Sequence, residues 1–567
     1  MAKIIIDVKF DDDDFIFFPA ACYDGNRFRC IKKAYPPIFT PQEAKLDMET
    51  CITDVPRLAP DGSGKIELTT ADCSVPCIGV YKRCENKGFL LFTVQRIGKK
   101  PLGLAYESGK MIITYPARRD TFYCCFAMHK NEAPYVEEEA EIPYKLIEFE
   151  CGSMEEFYQK FFENRKIMGM DDTLPTVLSK EEQWKIHAEK FNSCCWQKNG
   201  EYYVSYSNGE SFGNWQPGWC GDAMQTYAFL KLGTHLEKER AMKTLHFLFR
   251  HQGKSGLFYG VVDPEGKIHS DGFNTEGTED WALTRKSADC LYFVLRQFEL
   301  MEKVPEEFEA GIRKTADCFV NLWNKYGQIG QFAGADNQVI YVGGSASAAI
   351  VCAGLVLAYR YFGDEKYLKT AEEAGEYYYR NFAVKGYTTG GPGEILSAPD
   401  SESCFGLLES YIWLYDETKE EKWLSYAKHT ANICSSWVVA YNFEFPKENE
   451  FGRLGMKSIG SVFANIQNKH SAPGICTLSG TSLKKLAKWT GDERYMVLFR
   501  EVTETVSQYM STNERPIWNM EGTKKLRSGF ICERVNLSDW ETDKWVGSVW
   551  AGSCWCESTN MLILADM

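Results

Sequence analysis

No stretch of eighteen consecutive apolar residues occurs in this 567-residue chain, so no membrane-crossing helix is expected. An excess of basic charge is also missing. Against 64 Lys and Arg stand 78 Asp and Glu, a net charge of −14. That balance excludes a nucleic-acid or anionic-membrane partner, since both need clustered cations. The opening residues, Met1 to Phe10, alternate polar and apolar and lack the apolar run of a secretory signal. The 21 cysteines lack both an even count and a framework spacing; they are scattered singly or as Cys124-Cys125 and Cys194-Cys195. This pattern reads as reduced thiols of a cytoplasmic protein. Cys73, Cys77 and Cys84 have no matched second pair, so they read as buried thiols rather than zinc ligands, and neither a metal nor a cofactor is expected. What is abundant is aromatic: 14% of the chain, with 15 Trp and 30 Tyr. Such side chains fill large cores or form platforms on which sugar rings stack.

The chain is too long for one small module. Residues 1 to 155 read as an all-β, sandwich-like domain: Ile4 to Phe10, Gly88 to Arg96, Lys110 to Tyr115 and Asp120 to Ala127 are β-branched or aromatic runs, punctuated by Asp24-Gly25, Asp61-Gly62-Ser63-Gly64 and Asn86-Lys87-Gly88. From 156 to 567 the period becomes helical. Three segments begin alike, at Gly363-Asp364-Glu365, Lys419-Glu420-Glu421 and Gly491-Asp492-Glu493, and each continues with apolar residues on one face. The helix before them differs: Ser345 to Tyr359 is small and apolar all round, as a helix buried on every side must be. Helix starts fall near 181, 222, 237, 287, 306, 345, 364, 404, 419, 479, 492 and 557. That makes about twelve helices in six hairpins, and the helix near 181 finds its partner only in the one near 557, so the array closes into a ring. Six repeated hairpins behind an N-terminal β-domain resemble the (α/α)6 barrel of the six-hairpin glycosidase superfamily, over roughly residues 155 to 567.

In such a ring the inner helices run parallel, so the loops leading into them open at one end. These loops (214 to 222, 271 to 281, 335 to 345, 388 to 404, 465 to 476 and 545 to 557) are rich in Gly, Trp and carboxylates, whereas the opposite loops are short and plain. Cleavage of a glycosidic bond needs two carboxyl groups, one protonated and one ionised. The candidates are Asp222, which could instead be a helix N-cap; Glu276, Glu279 and Asp280, where like charges crowd beside Trp281 and could raise one pKa; Glu394, after Thr389-Gly-Gly-Pro-Gly; and Glu402, with Asp400 as the cap of its helix. Trp215, Trp219, Trp281 and Trp555 are candidate sugar platforms. Tyr341, His470 and Arg534 are candidate substrate contacts, and Arg285, Lys469 and Arg534 could meet a uronate carboxylate.

The reading is a glycoside hydrolase acting on an oligosaccharide, with self-association left open. Two readings compete with it. A lyase or sugar epimerase on the same barrel would give weight to His470, Tyr341 and Arg534. A non-catalytic carbohydrate-binding protein would tolerate loss of every carboxylate above. In addition, Glu402-Ser-Cys404 followed by Cys476 resembles part of the zinc-thiolate site of the cysteine-dependent arabinofuranosidases. That family completes its site with an adjacent Cys-Cys pair, whereas here Thr477 follows Cys476 and the alternative is Cys554-Trp-Cys556.

Overall fold

The computed structural model describes residues 2–28, 39–48, 55–119, 139–175, 178–204, 214–219, 221–393, 396–550 and 555–567. Glu394, Cys554 and the strand expected at 120 to 127 lie outside them.

Ten strands precede the helices: β1 Ala2–Asp7, β2 Phe15–Phe17, β3 Lys65–Thr69, β4 Cys77–Lys82, β5 Lys87–Thr93, β6 Arg96–Ile97, β7 Lys100–Pro101, β8 Gly103–Glu107, β9 Lys110–Tyr115 and β10 Tyr144–Glu150. They form two four-stranded antiparallel sheets, in the orders β1-β9-β8-β3 and β10-β5-β4-β2, with β6 and β7 as a separate pair. Ile66, Leu104 and Ile113 of the first sheet share one core with Ile78, Val80 and Leu91 of the second. The other face of the second sheet, with Cys77, Tyr81, Leu90 and Phe92, belongs to the core of the helices. β4 and β5 are thus covered on both sides, which explains a continuous apolar run such as Phe89-Leu-Leu-Phe92 in place of alternation.

The helices are α1 Met154–Asn164, α2 Lys180–Lys190, α3 Asp222–Leu232, α4 His235–Arg250, α5 Thr284–Phe298, α6 Glu306–Tyr326, α7 Val351–Phe362, α8 Glu365–Asn381, α9 Ser401–Thr418, α10 Glu421–Ser435, α11 Glu450–Leu454, α12 Thr481–Thr490, α13 Glu493–Glu504 and α14 Trp555–Asp566. Twelve of them match the expected starts. The α7 start is later than 345 because residues 347 to 350 are turns, and α1 and α11 are additional. Helix α1 is the joint between the regions: Phe157 meets Phe17 at 5.7 Å between ring centroids and Tyr81 at 6.1 Å.

Six helices form an inner ring. Helix α3 packs on α5, α5 on α7, α7 on α9, α9 on α12, and α14 on α3. The ring closes from α12 to α14 through Ser479 Oγ, which donates to Asp566 Oδ2 at 2.7 Å, and Thr477 N, which donates to Thr559 Oγ1 at 3.0 Å. Each inner helix carries an outer partner: α4, α6, α8, α10, α13, and for α14 the helix α2. The shared start of the outer helices has a mechanical reason. Gly363 and Gly491 end α7 and α12 in the left-handed conformation (φ +70° each), and Asp364 and Asp492 then cap the next helix by accepting from Lys366 N and Arg494 N. In the third copy Lys419 takes the left-handed turn at φ +57°, where a side chain costs roughly 1 kcal/mol.

Candidate functional site at the mouth of the ring

The N-termini of the inner helices share one end of the ring, and backbone hydrogen bonds stitch the loops leading into them into a rim. Ala335 N donates to Asp280 O, Ala346 N to Thr389 O, Ser401 N to Ala464 O, and Ser471 and Val535 exchange a pair. A segment from the sheet region is laid across part of this rim. Phe39 and Met48 are buried with Trp281, Leu283, Phe332, Val342 and Leu396, while Lys45 O and Leu46 O accept from Gly343 N (3.0 Å) and Gln328 Nε2 (2.9 Å).

Inside the rim, α5 and α9 bring charge together. Arg285 and Asp289, one turn apart on α5, face Glu402 on the first turn of α9, and all three are buried. The Arg285 guanidinium is ion-paired with Glu402 Oε2, and its Nε lies 3.6 Å from Asp289 Oδ2. Trp219 locks both carboxylates: its backbone N–H donates to Asp289 Oδ2 at 2.8 Å and its indole Nε1 to Glu402 Oε2 at 2.9 Å. Trp219 holds this position at φ +63°, an unfavourable conformation for a large side chain and the kind of strain that gathers at functional sites. Its loop can press this close because residue 218 is glycine; a Cβ there would stand 2.3 Å from Lys286 O.

These contacts leave Glu402 Oε1 and Asp289 Oδ1 without a hydrogen bond among the described residues. Burial pushes the Asp289 carboxyl up to about 6, with Arg285 pulling against it. Asp289, Glu402, Arg285 and Ser347 line a cavity of about 10 Å³, room for about one water. The Ser347 hydroxyl is buried there with no partner among the described residues.

The other sequence candidates are spread more widely. Asp222 is buried as the first residue of α3, but Gly221 is the cap, and neither carboxyl oxygen has a partner among the described residues. Burial alone holds its pKa well above the usual carboxylate range. Asp400 is the N-cap of α9, accepting from Ser403 N at 2.7 Å. Glu276 and Glu279 are exposed. The Gly277 N–H holds Glu279 below its ordinary value, so crowding does not raise it. Asp280 accepts from Tyr341 Oη at 3.0 Å and from Asn337 Nδ2 at 2.8 Å.

Of the tryptophans, Trp219 is at the centre. Trp215 is fully buried against Phe247 and His251, and Trp281 is buried and stacked on Tyr341 at 5.3 Å, so both fill core rather than offer an open face. Trp555, half-buried, donates to Glu533 Oε1 at 3.0 Å. His470 is buried, not on the surface. Burial, reinforced by Arg534, drives its pKa well down, and its Nε2 has no partner among the described residues. The three cations read as uronate contacts are already engaged: Arg285 by Glu402, Arg534 by Glu541 at 3.3 Å, and Lys469 by Ile466 O and the Trp540 ring. Cys404 lies against Cys434 (Sγ to Sγ 3.3 Å), and no cluster of metal-ligating side chains occurs among the described residues.

The sequence reading missed Asp289 and the link from Arg285 to Glu402. The available signal was two charges four residues apart on an inner helix whose every neighbour is buried.

No family model matches the chain, and no curated protein matches it. Among solved structures the chain is similar to a D-mannose isomerase (14% identity, TM-score 0.47, covering 68% of this chain and 96% of the other). It is also similar to a cellobiose 2-epimerase from Spirochaeta thermophila (11%, 0.46, 69% and 99%) and to a family 76 glycoside hydrolase, a mannosidase, from Bacteroides thetaiotaomicron (9%, 0.43, 68% and 97%). At such values the reading of the site rests on its own geometry.

Proposed function

We propose that this protein is a carbohydrate-active enzyme that hydrolyses a glycosidic bond at the mouth of the ring, with Asp289 as proton donor and Glu402 as the ionised carboxylate. The observation that carries this reading is the pair itself: two neighbouring buried carboxyl groups in unequal environments, one raised toward neutrality by burial and the other tied to a guanidinium. Divergent pairs of this kind mark acid and base assignments. Asp289 would protonate the leaving oxygen, while Glu402 acts on water or on the anomeric carbon. The one-water cavity against both groups and Ser347 suits a reaction that consumes water. The exposed Glu276 and Glu279 and the outlying Asp280 fall to sugar contacts. We read the two N-terminal sheets as the sandwich-like companion domain, which lends the segment around Phe39 to the mouth.

A screen of aryl glycosides and uronide oligosaccharides tests the proposal. Glu402→Gln and Asp289→Asn should each lower kcat by about 10² to 10⁴-fold in protein that circular dichroism shows to be folded at the assay temperature, and activity should fall as pH rises through about 6. Full activity in both variants would sink the mechanism. The lyase or epimerase reading keeps one point in its favour, the neutral, unbonded His470 Nε2. An ultraviolet-absorbing unsaturated product, lost in His470→Asn, would select it instead.

A further inference from the structure

The other end of the ring, where the inner helices finish, holds a cavity of about 530 Å³, a size that takes a compact ligand. It lies beyond the mouth cluster along the same helices: Tyr292 and Arg296 are one and two turns past Asp289 on α5, and Glu409 and Trp413 are two and three turns past Glu402 on α9. One wall is aromatic, made by Trp413 and Tyr292. The floor is Glu409, a buried carboxylate whose oxygens are taken by Tyr292 Oη (2.6 Å), Trp413 Nε1 (3.2 Å) and Ser482 Oγ. Arg296 is likewise engaged, by Asp566 at 2.8 Å.

The facing wall is the first two turns of α12, which present Lys484, Lys485 and Lys488. None of the three has an ion-pair partner among the described residues; Lys485 Nζ rests 4.4 Å from the Trp413 ring centre. Lys484, Lys485 and Lys488 put three ammonium groups on one wall, and of the other lining residues Glu409 and Asp566 are already engaged while Glu493 lies beside them. Lysines of this kind act as point charges that suit phosphate, and a dianion gains more from them than a single carboxylate does. The aromatic wall opposite suits the body of a sugar or similar ring.

We infer that this cavity is a second ligand site, separate from the mouth, that takes a phosphate monoester of a compact ring-bearing molecule, with the phosphate on Lys484, Lys485 and Lys488 and the ring against Trp413. The inference does not rest on the hydrolase reading. Its test is calorimetric titration of the full chain with glucose 6-phosphate, glucuronate, inorganic phosphate and glucose at low salt, in the wild type, in the Lys485→Ala/Lys488→Ala double variant, and in Asp289→Asn. Glucose 6-phosphate should bind the wild type and Asp289→Asn equally, bind about tenfold or more weakly to the double variant, and weaken as salt rises. Glucuronate should bind more weakly and glucose not at all. The Trp413→Leu variant should lose affinity for glucose 6-phosphate but not for inorganic phosphate. Equal binding of glucose and glucose 6-phosphate, unchanged affinity in the double variant with unchanged thermal unfolding, or no binding at millimolar ligand would overturn it.

Discussion

The two ends of the helical ring handle charge in opposite ways. At the mouth, Arg285, Asp289 and Glu402 are buried and bonded to one another, and Trp219 clamps both carboxylates. At the far end, Lys484, Lys485 and Lys488 of α12 stand at an open cavity without an ion-pair partner among the described residues, although Glu409, Glu493 and Asp566 also line it. Buried charges must satisfy each other because an unmatched one costs several kcal/mol, whereas surface charges cost little when left alone. The mouth cluster therefore ties the fold to the proposed chemistry, while the far end can be altered with little effect on the fold.

The sharpest way to break this contrast is Arg285→Met. Removing the guanidinium leaves two carboxyl groups buried without their cation, so unfolding in urea should show a loss of about 3–5 kcal/mol together with loss of activity. A loss below about 1 kcal/mol would mean that the cluster is not held as a unit.

A smaller effect is expected from pH. Burial raises Asp222, Asp289 (to about 6) and Asp400 (to about 7) in the folded chain. The folded state therefore holds protons that the unfolded state has already released, and stability from these groups falls as pH rises from the unfolded carboxylate value near 4 through the folded values. Asp222→Asn should remove part of that slope, leaving a protein more stable than wild type at pH 8 by on the order of 1 kcal/mol and little different near pH 4. Melting curves across this range decide it, and a variant less stable at pH 8 would show that the Asp222 carboxylate is held ionised by a partner. The smallest effect belongs to the far end: Lys485→Ala/Lys488→Ala should change stability by less than about 0.5 kcal/mol, measured by the same urea titration.

How far the sequence could be read follows from the range of the interactions. The hairpin alternation was legible because two of the outer helices announce themselves locally, by a left-handed turn and a capping Asp at Asp364 and Asp492, and an inner helix such as α7 by the lack of a wet face. Ring closure was legible from one unpaired amphipathic helix. Glu402 was legible because a carboxylate at the head of an all-buried helix has nowhere else to point. Asp289 was not, since its meaning depends on Glu402 and Trp219, 113 and 70 residues away in other hairpins. Nor was the covering of the mouth by Phe39 and Met48, which depends on where the sheets dock. The aromatic excess divided for the same reason: Trp215 and Trp281 went to core, and only packing partners supplied by distant loops separate them from Trp219.

The pairing of α2 with α14 has a consequence in time. Lys190 and Glu557, buried and 2.8 Å apart, are 367 residues distant along the chain. Contacts of such separation are made late, because the entropy of closing the intervening loop must be met before they stabilise anything. The expected order is therefore assembly hairpin by hairpin, with the ring closed only in the last step. Proteolysis during refolding should find α2 and α14 protected after the central hairpins, and enzymatic activity should return with that final protection rather than in proportion to helix content.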